Sequence, residues 1–247
     1  MKYNYCFHLQ YDGSRYNGWQ KQGNTERTIQ GMLEQLLSQY TKAAVELKGS
    51  GRTDAGVHAK CQVANFYSDK QIAIKECKEW LNEQLPDDIR IDKAEEVSLA
   101  FHSRKSAIRK TYEYRIWNSQ GKNIFGYRYA YSVEKLLNIK KMEEAAAILC
   151  GTHDFLGFSS LKESKKSTVR TIESISIFRI DNQVVIQYTG DGFLYHMVRI
   201  LTGTLLEVGE GIREPDSIKQ IFEKRERAMA GPMVPAHGLM LVKVEYS

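Results

Sequence analysis

Residues 1–13, MKYNYCFHLQYDG, place Tyr3, Tyr5, Phe7 and Leu9 at alternate positions and end in the turn formers Asp12 and Gly13. A period of two marks a strand with one face buried. The period then changes: Ile29, Met32, Leu33, Leu36, Leu37 and Tyr40 recur at three- and four-residue steps, an amphipathic helix with Thr28 in place to cap it. A strand followed by a helix that must cover the same core is the opening of an α+β arrangement.

The rest of the chain continues this rhythm. Strands are expected near 44–48 and 61–67, a helix near 74–84 ended by Pro86, and strands near 90–99 and 106–117. A helix near 138–150 follows, then a hairpin of strands 169–180 and 183–190 turning at Asp181-Asn182. Phe193–Val208 reads as a helix burying Met197, Val198, Leu201, Leu205 and Val208, and Leu239–Tyr246 as a last strand. Two α+β halves result, divided here as 1–105 and 106–247, with no Pro/Gly/Ser linker at the join.

Composition narrows the function classes. The 247 residues are 42% hydrophobic, enough for a sizeable core, and a net charge of +5 permits an anionic partner without demanding one. Cys6, Cys61, Cys77 and Cys150 stand far apart with no CxxC, and the six histidines form no HExxH, so neither a disulfide framework nor a metal site is expected. The N-terminal run lacks a basic segment followed by an apolar one, and no segment reaches the length of a membrane span; the expectation is a cytoplasmic protein without a membrane partner.

One loop carries a candidate chemistry. GSGRTDAGVHA, residues 49–59, has too much glycine for a helix and too little apolar content for a strand. It lacks the Gly-Lys-Ser/Thr of a P-loop, and Asp54 stands where a dinucleotide fingerprint needs a third small residue, so no nucleotide cofactor is expected. Arg52 is two residues from Asp54 and suits holding a carboxylate ionised as nucleophile or base. The loop alone equally describes an Asp that merely accepts backbone N–H bonds in a turn.

Basic stretches suggest the partner. FHSRKSAIRKTYEYR, residues 101–115, sets Arg104, Lys105, Arg109, Lys110 and Arg115 among Phe101, Tyr112 and Tyr114, a mixture suited to phosphates and base faces. Residues 162–170, KESKKSTVR, add Lys165 and Lys166. Each run alone also describes a solvated surface. Arg199, flanked by Met197, Val198, Ile200 and Leu201, needs a partner if buried, and Asp54 is the expected one; the alternative is an arginine at the helix edge reaching solvent along its stem. Tyr112 and Tyr114 share one face of a strand and also fit a core role.

Together YDGSRYNGWQ, TIQGMLEQLL, GRTDAGVHA, LNEQLPDDI, FHSRKSAIRKTYEY, GDGFLYHMVRILTGTLLEVG and PAHGLMLVKVEY, in this order, resemble the tRNA pseudouridine synthase A family over nearly the whole chain. The resemblance implies an α+β fold of two similar ferredoxin-like halves whose antiparallel sheets join into one, with a central cleft. It also implies a homodimer acting on tRNA and isomerisation of uridine to pseudouridine at positions 38, 39 and 40 of the anticodon stem-loop, without cofactor or metal. On the matching positions it makes Asp54 the catalytic aspartate, Arg199 its paired arginine, Tyr112 the tyrosine packed on the target base and Arg52 the loop arginine. Arg104, Lys110, Lys165 and Lys166 are further candidate RNA contacts. The same chemistry on another RNA site, or RNA binding without catalysis, are the alternative functions. The chain departs from the family pattern at Cys61, Asn65, Ser103, Phe158-Ser159 and Ile200, and the Phe158-Ser159 region is expected to lie in an RNA-facing loop.

Overall fold

The computed structural model describes residues 2–161 and 167–247, so Lys165 and Lys166 lie outside the described residues. Its elements in chain order are β1 (Tyr3–Tyr11), α1 (Ile29–Thr41), β2 (Lys48–Gly49), β3 (His58–Ser68), α2 (Ile74–Gln84), β4 (Ile89–Glu96), β5 (Ala107–Trp117) and β6 (Tyr131–Ser132). They continue as α3 (Ile139–Leu149), β7 (Gly151–Asp154), β8 (Val169–Ile180), β9 (Gln183–Gly190), α4 (Met197–Gly209), α5 (Ser217–Lys224) and β10 (Leu239–Tyr246). The chain is α+β and divides into two compact units, Met1–Ile108 with Met240–Ser247, and Arg109–Leu239.

In the first unit β1 pairs antiparallel with β3 on one edge and with β4 on the other. The far edge of β3 takes β2 antiparallel, Lys48 opposite Asn65, and further along takes β10 in parallel, Met240 opposite His58. β1, α1 and β2 thus form a split β-α-β unit with β3 inserted between its strands, the ferredoxin-like arrangement. The second unit repeats the device: β9 lies antiparallel between β5 and β8, and α3 falls between β5 and β8 in sequence. β7 extends that sheet from β8, and β6 adds a short parallel pairing to β5. The long ladders described above are antiparallel, and the two parallel pairings among them, β10 on β3 and β6 on β5, are short.

Local chemistry explains the boundaries. The Thr28 hydroxyl accepts the Gly31 N–H at 3.3 Å and starts α1, whose Ile29, Leu33 and Leu37 are buried. Burying each such side chain contributes roughly 1.5–3 kcal/mol. α2 stops at Leu85, held extended (ψ 145°) by Pro86. The strand expected at 44–48 shrinks to Lys48–Gly49 because the backbone before it bonds to α1 side chains instead of a ladder. Val45 N–H donates to Ser38 Oγ, Leu47 N–H to Glu34 Oε1, and the Leu47 carbonyl accepts from Gln30 Nε2.

α4 begins at Met197, four residues later than the apolar pattern suggests. Residues 191–196 are engaged elsewhere: Asp191 Oδ1 accepts the Thr171 N–H, the Tyr195 carbonyl accepts the Ser160 N–H, and His196 turns the chain at φ 62°. Phe158 and Ser159 correct an expectation. Both are fully buried, Phe158 against Phe155 and Phe222 and Ser159 Oγ donating to the Leu156 carbonyl, so neither side chain is exposed; residues 162–166 of the same stretch lie outside the described residues.

Candidate active site

The loop bearing Asp54 has no regular structure, yet the chain pins it at nearly every residue. Thr53 Oγ1 lies 2.7 Å from the Tyr11 hydroxyl, and the Thr53 carbonyl accepts the Trp19 N–H at 3.0 Å. Gln62 Nε2 donates to the Gly51 carbonyl at 3.0 Å, while its Oε1 accepts from Ser50 Oγ at 2.6 Å. The Val57 N–H closes a turn onto the Asp54 carbonyl, and Gly56, at φ 79°, donates to Tyr16. Tyr11, Ser50, Thr53 and Gln62 are all buried. Burial pushes the Tyr11 phenol up to about 12, with the Thr53 and Gln62 bonds opposing the rise. It therefore stays protonated at neutral pH.

The two N-terminal turns supply the remaining wall. A Cβ on Gly18, at φ 91°, would stand 2.6 Å from the Thr53 carbonyl, and one on Gly13 would stand 2.0 Å from that of Val57. The buried His58 ring receives the Gly13 N–H on Nδ1 at 3.1 Å and lies 3.0 Å from Asp12 Oδ1. YDGSRYNGW is thus the cradle of the second glycine loop: its glycines are required by close backbone approach. Asp54 emerges half-buried and Arg52 exposed.

Beside this loop the first unit holds a cleft of about 300 Å³ whose walls include Lys48, Gly51, Arg52, His102, Arg104 and Lys105. The structure thereby brings Arg52 and Arg104 together. His102 and Lys48 are functional candidates that sequence reading passes over; the His-x-Arg-Lys spacing was the available signal. Burial lowers the His102 pKa, and nearby Lys105, Lys48 and Arg104 lower it further.

Tyr112, Lys110 and Arg199 belong to the second unit. Tyr112 lies on β5 opposite Tyr188, is 8% exposed, and meets Phe193 edge-on with ring centroids 5.3 Å apart. Lys110 stands two residues earlier, opposite Gly190. Arg109 and Arg115, from the same basic run, are committed to carboxylates: each guanidinium Nε is 2.6 Å from an oxygen, of Glu173 and Glu113 respectively.

Arg199 occupies the first turn of α4, is 9% exposed, and donates from Nε to the Val234 carbonyl at 2.8 Å, which excludes the solvent-reaching alternative. It sits close enough to Tyr114 to oppose the burial that drives that phenol upward. The strap 230–235 is seated on α4 by backbone approach. A Cβ on Gly203 would lie 1.8 Å from the Pro232 carbonyl, and the Gly231 N–H donates to Thr204 Oγ1 at 2.9 Å. Tyr114 clamps the strap's far end through a 2.8 Å bond to the Pro235 carbonyl.

Among the described residues no helix is long and apolar enough to cross a membrane, and no group of three His, Cys, Asp or Glu is placed to hold a metal ion. A family model described as tRNA pseudouridine synthase matches residues 9–104 and 145–247. Curated relatives match nearly the whole chain. A "tRNA pseudouridine synthase A 2" of Bacillus cereus (strain ZK / E33L) is 44% identical over 98% of this chain and 99% of its own. A "tRNA pseudouridine synthase A" of Bacillus sp. (strain KSM-64) is 46% identical over 98% and 99%. Another, of Acetivibrio thermocellus, is 45% identical over 96% and 97%.

Proposed function

Because the chain belongs to the tRNA pseudouridine synthase family, we propose that it isomerises uridine to pseudouridine in the tRNA anticodon stem-loop, at positions 38, 39 and 40. The observation that carries this reading is the pinned loop of the first unit, which presents Asp54 two residues from Arg52 on a buried polar scaffold. A loop held at its neighbours' backbone can present a carboxylate in one geometry, which is what chemistry at a single sugar carbon requires.

The reaction breaks the N1–C1′ bond, turns the uracil and forms a C5–C1′ bond; C5 gives up its proton to solvent and N1 takes one up. It changes neither redox state nor atom count in the product. The target nucleotide must leave its stack to reach the side chains. In this reading Asp54 acts as nucleophile or as the base that takes a ribose proton. Arg199 is the cation that keeps it ionised, its guanidinium steadied by the Val234 carbonyl. Tyr112, held by Phe193, stacks on the uracil and positions the acceptor of the C5 proton. Arg52 occupies the space left by the extruded base, and Arg104, Lys110, Lys165 and Lys166 contact the RNA backbone. A cytoplasmic homodimer with tRNA as partner completes the reading; sedimentation of the free protein decides the dimer.

The test is chemical mapping. Unmodified tRNA transcripts are incubated with the protein, treated with a carbodiimide that marks pseudouridine, and read by primer extension. Stops at positions 38, 39 or 40 are the expected result. Stops elsewhere would move the target while keeping the reaction, and their absence throughout would remove the proposed activity.

A further inference from the structure

Among the described residues, Lys42, Asp181, His196 and Arg225 take a positive φ without being glycine. Three of them sit where that conformation is ordinary: Lys42 and Arg225 end α1 and α5, and Asp181 lies in the turn between β8 and β9. His196 instead precedes α4, at φ 62° and ψ 3°, where a capping side chain is expected, and its imidazole makes no cap bond. The Met197 N–H closes a turn onto the Leu194 carbonyl at 3.1 Å, which puts Tyr195 and His196 at its two central positions. A positive φ at the second of these is glycine's place, so the histidine carries backbone strain that its surroundings must hold.

What the strain secures is a pair of rings. Tyr195 and His196 stack with centroids 3.6 Å apart and planes 29° from parallel. His196 Nδ1 lies 2.8 Å from Ser160 Oγ, and the Ser160 N–H donates to the Tyr195 carbonyl at 3.2 Å. Leu194 before the pair and Met197 after it are buried, so the turn is anchored at both ends. The imidazole covers one face of the Tyr195 ring, yet Tyr195 is 55% exposed, which leaves the other face open. An aromatic ring fixed from behind has already lost its rotamer freedom, so a flat π partner can stack on it at little further ordering cost. Tyr195 is also two residues from Phe193, whose ring meets Tyr112 edge-on. The pair therefore adjoins, along the chain, the residues assigned above to the target uracil.

We propose that Tyr195, backed by His196, stacks on the base next to the target nucleotide once the target has left the helix. The inference rests on the reading of the chain as an enzyme that modifies tRNA uridines. Extruding one nucleotide breaks the stacking of its neighbours, and an aromatic face can replace the contact that a neighbour loses. Every base has a π face, so such a contact tolerates different sequences around the target. Tyr195 is the substrate-binding residue in this account, and His196 is a positioning residue that acts through it.

The test measures binding of fluorescent tRNA by anisotropy to wild type, Tyr195→Ala, Tyr195→Phe and His196→Gly. Each protein meets unmodified tRNA and two tRNAs carrying an abasic nucleotide at position 38 or 40, beside uridine 39. An abasic nucleotide keeps the phosphate and removes only the base. On intact tRNA, Tyr195→Ala should weaken binding roughly tenfold, while Tyr195→Phe, which keeps the ring, should bind as wild type does. On one of the two abasic tRNAs, wild type and Tyr195→Ala should become indistinguishable, because the contact is already gone. His196→Gly relieves the left-handed backbone, so Tm should stay near that of wild type while affinity for intact tRNA falls. Wild-type affinity in Tyr195→Ala, or a loss that persists undiminished on both abasic tRNAs, would overturn the proposal. A lowered Tm with unchanged affinity in His196→Gly would make that residue structural only and overturn its positioning role. The predicted coupling in a wild type that gives no carbodiimide stops would overturn the reaction and retain the stacking site; stops without coupling would do the reverse.

Discussion

In the first unit Asp54 sits on an irregular loop whose position depends on side chains reaching in from β1 and β3: Tyr11 to Thr53, and Gln62 to Gly51. In the second unit Arg199 sits on a regular helix whose position depends on backbone meeting backbone, with Gly203 against Pro232 and the Val234 carbonyl receiving the guanidinium. A loop has no ladder to fix it, so buried polar groups take that role, each satisfied by another. A helix is already rigid and needs a surface without side chains where the strap crosses it. Errors in the two regions should therefore appear in different measurements: catalytic rate in the first, stability of the whole unit in the second.

Five substitutions, one of them a reference, test that contrast. Asp54→Asn removes the charge and preserves the shape, so turnover should fall about 10³-fold or more while tRNA binding is largely kept; a normal single-turnover rate would end the catalytic assignment. Gly203→Ala forces a methyl group into the 1.8 Å approach to Pro232 and should destabilise the protein by about 1–3 kcal/mol, lowering Tm by several degrees. Gly23→Ala, where a Cβ meets nothing within 4 Å, is its reference and should shift Tm little.

Tyr11→Phe deletes the hydroxyl under Thr53 and should lower the rate at saturating tRNA about tenfold, with a stability cost of roughly 1–2 kcal/mol. It also has a pH signature. The folded pKa of Tyr11 is raised to about 12 above its ordinary value of 10.0. The stability it contributes is complete below pH 10 and is lost as pH rises toward 12. Thermal unfolding of wild type should therefore weaken more steeply across that window than unfolding of Tyr11→Phe; parallel curves would show that the phenol is not buried as described. Thr28→Ala is the smallest effect, about 1 kcal/mol from the lost α1 cap, with no change in rate per folded molecule.

Periodicity made most elements legible before any coordinates: β1, α1, α2, α3 and the β8–β9 hairpin fall where alternation, helical spacing, Pro86 and Asp181-Asn182 put them. What periodicity missed had non-local causes. Residues 45–47 read as strand, but their backbone partners are side chains of α1; residues 193–196 read as helix, but Tyr195 and His196 are engaged with Ser160. For the candidate site, residue type in the GRTDAGV loop singled out Asp54 and Arg52 but left a turn-forming aspartate equally open, and only the family resemblance implied a catalytic role. The scaffold beneath them was illegible because Tyr11 and Gln62 act on that loop from positions far away in sequence. The reach of the basic run was also overstated in sequence, since charge alone does not reveal that Arg109 and Arg115 are neutralised within their own sheet.

The central claim is that Asp54, presented by the pinned loop, performs uridine isomerisation. Release of tritium from tRNA labelled at uridine C5 measures that step directly, with wild type and Asp54→Asn assayed side by side. The account predicts release by wild type and none above background by the variant. Equal release by both proteins would contradict it.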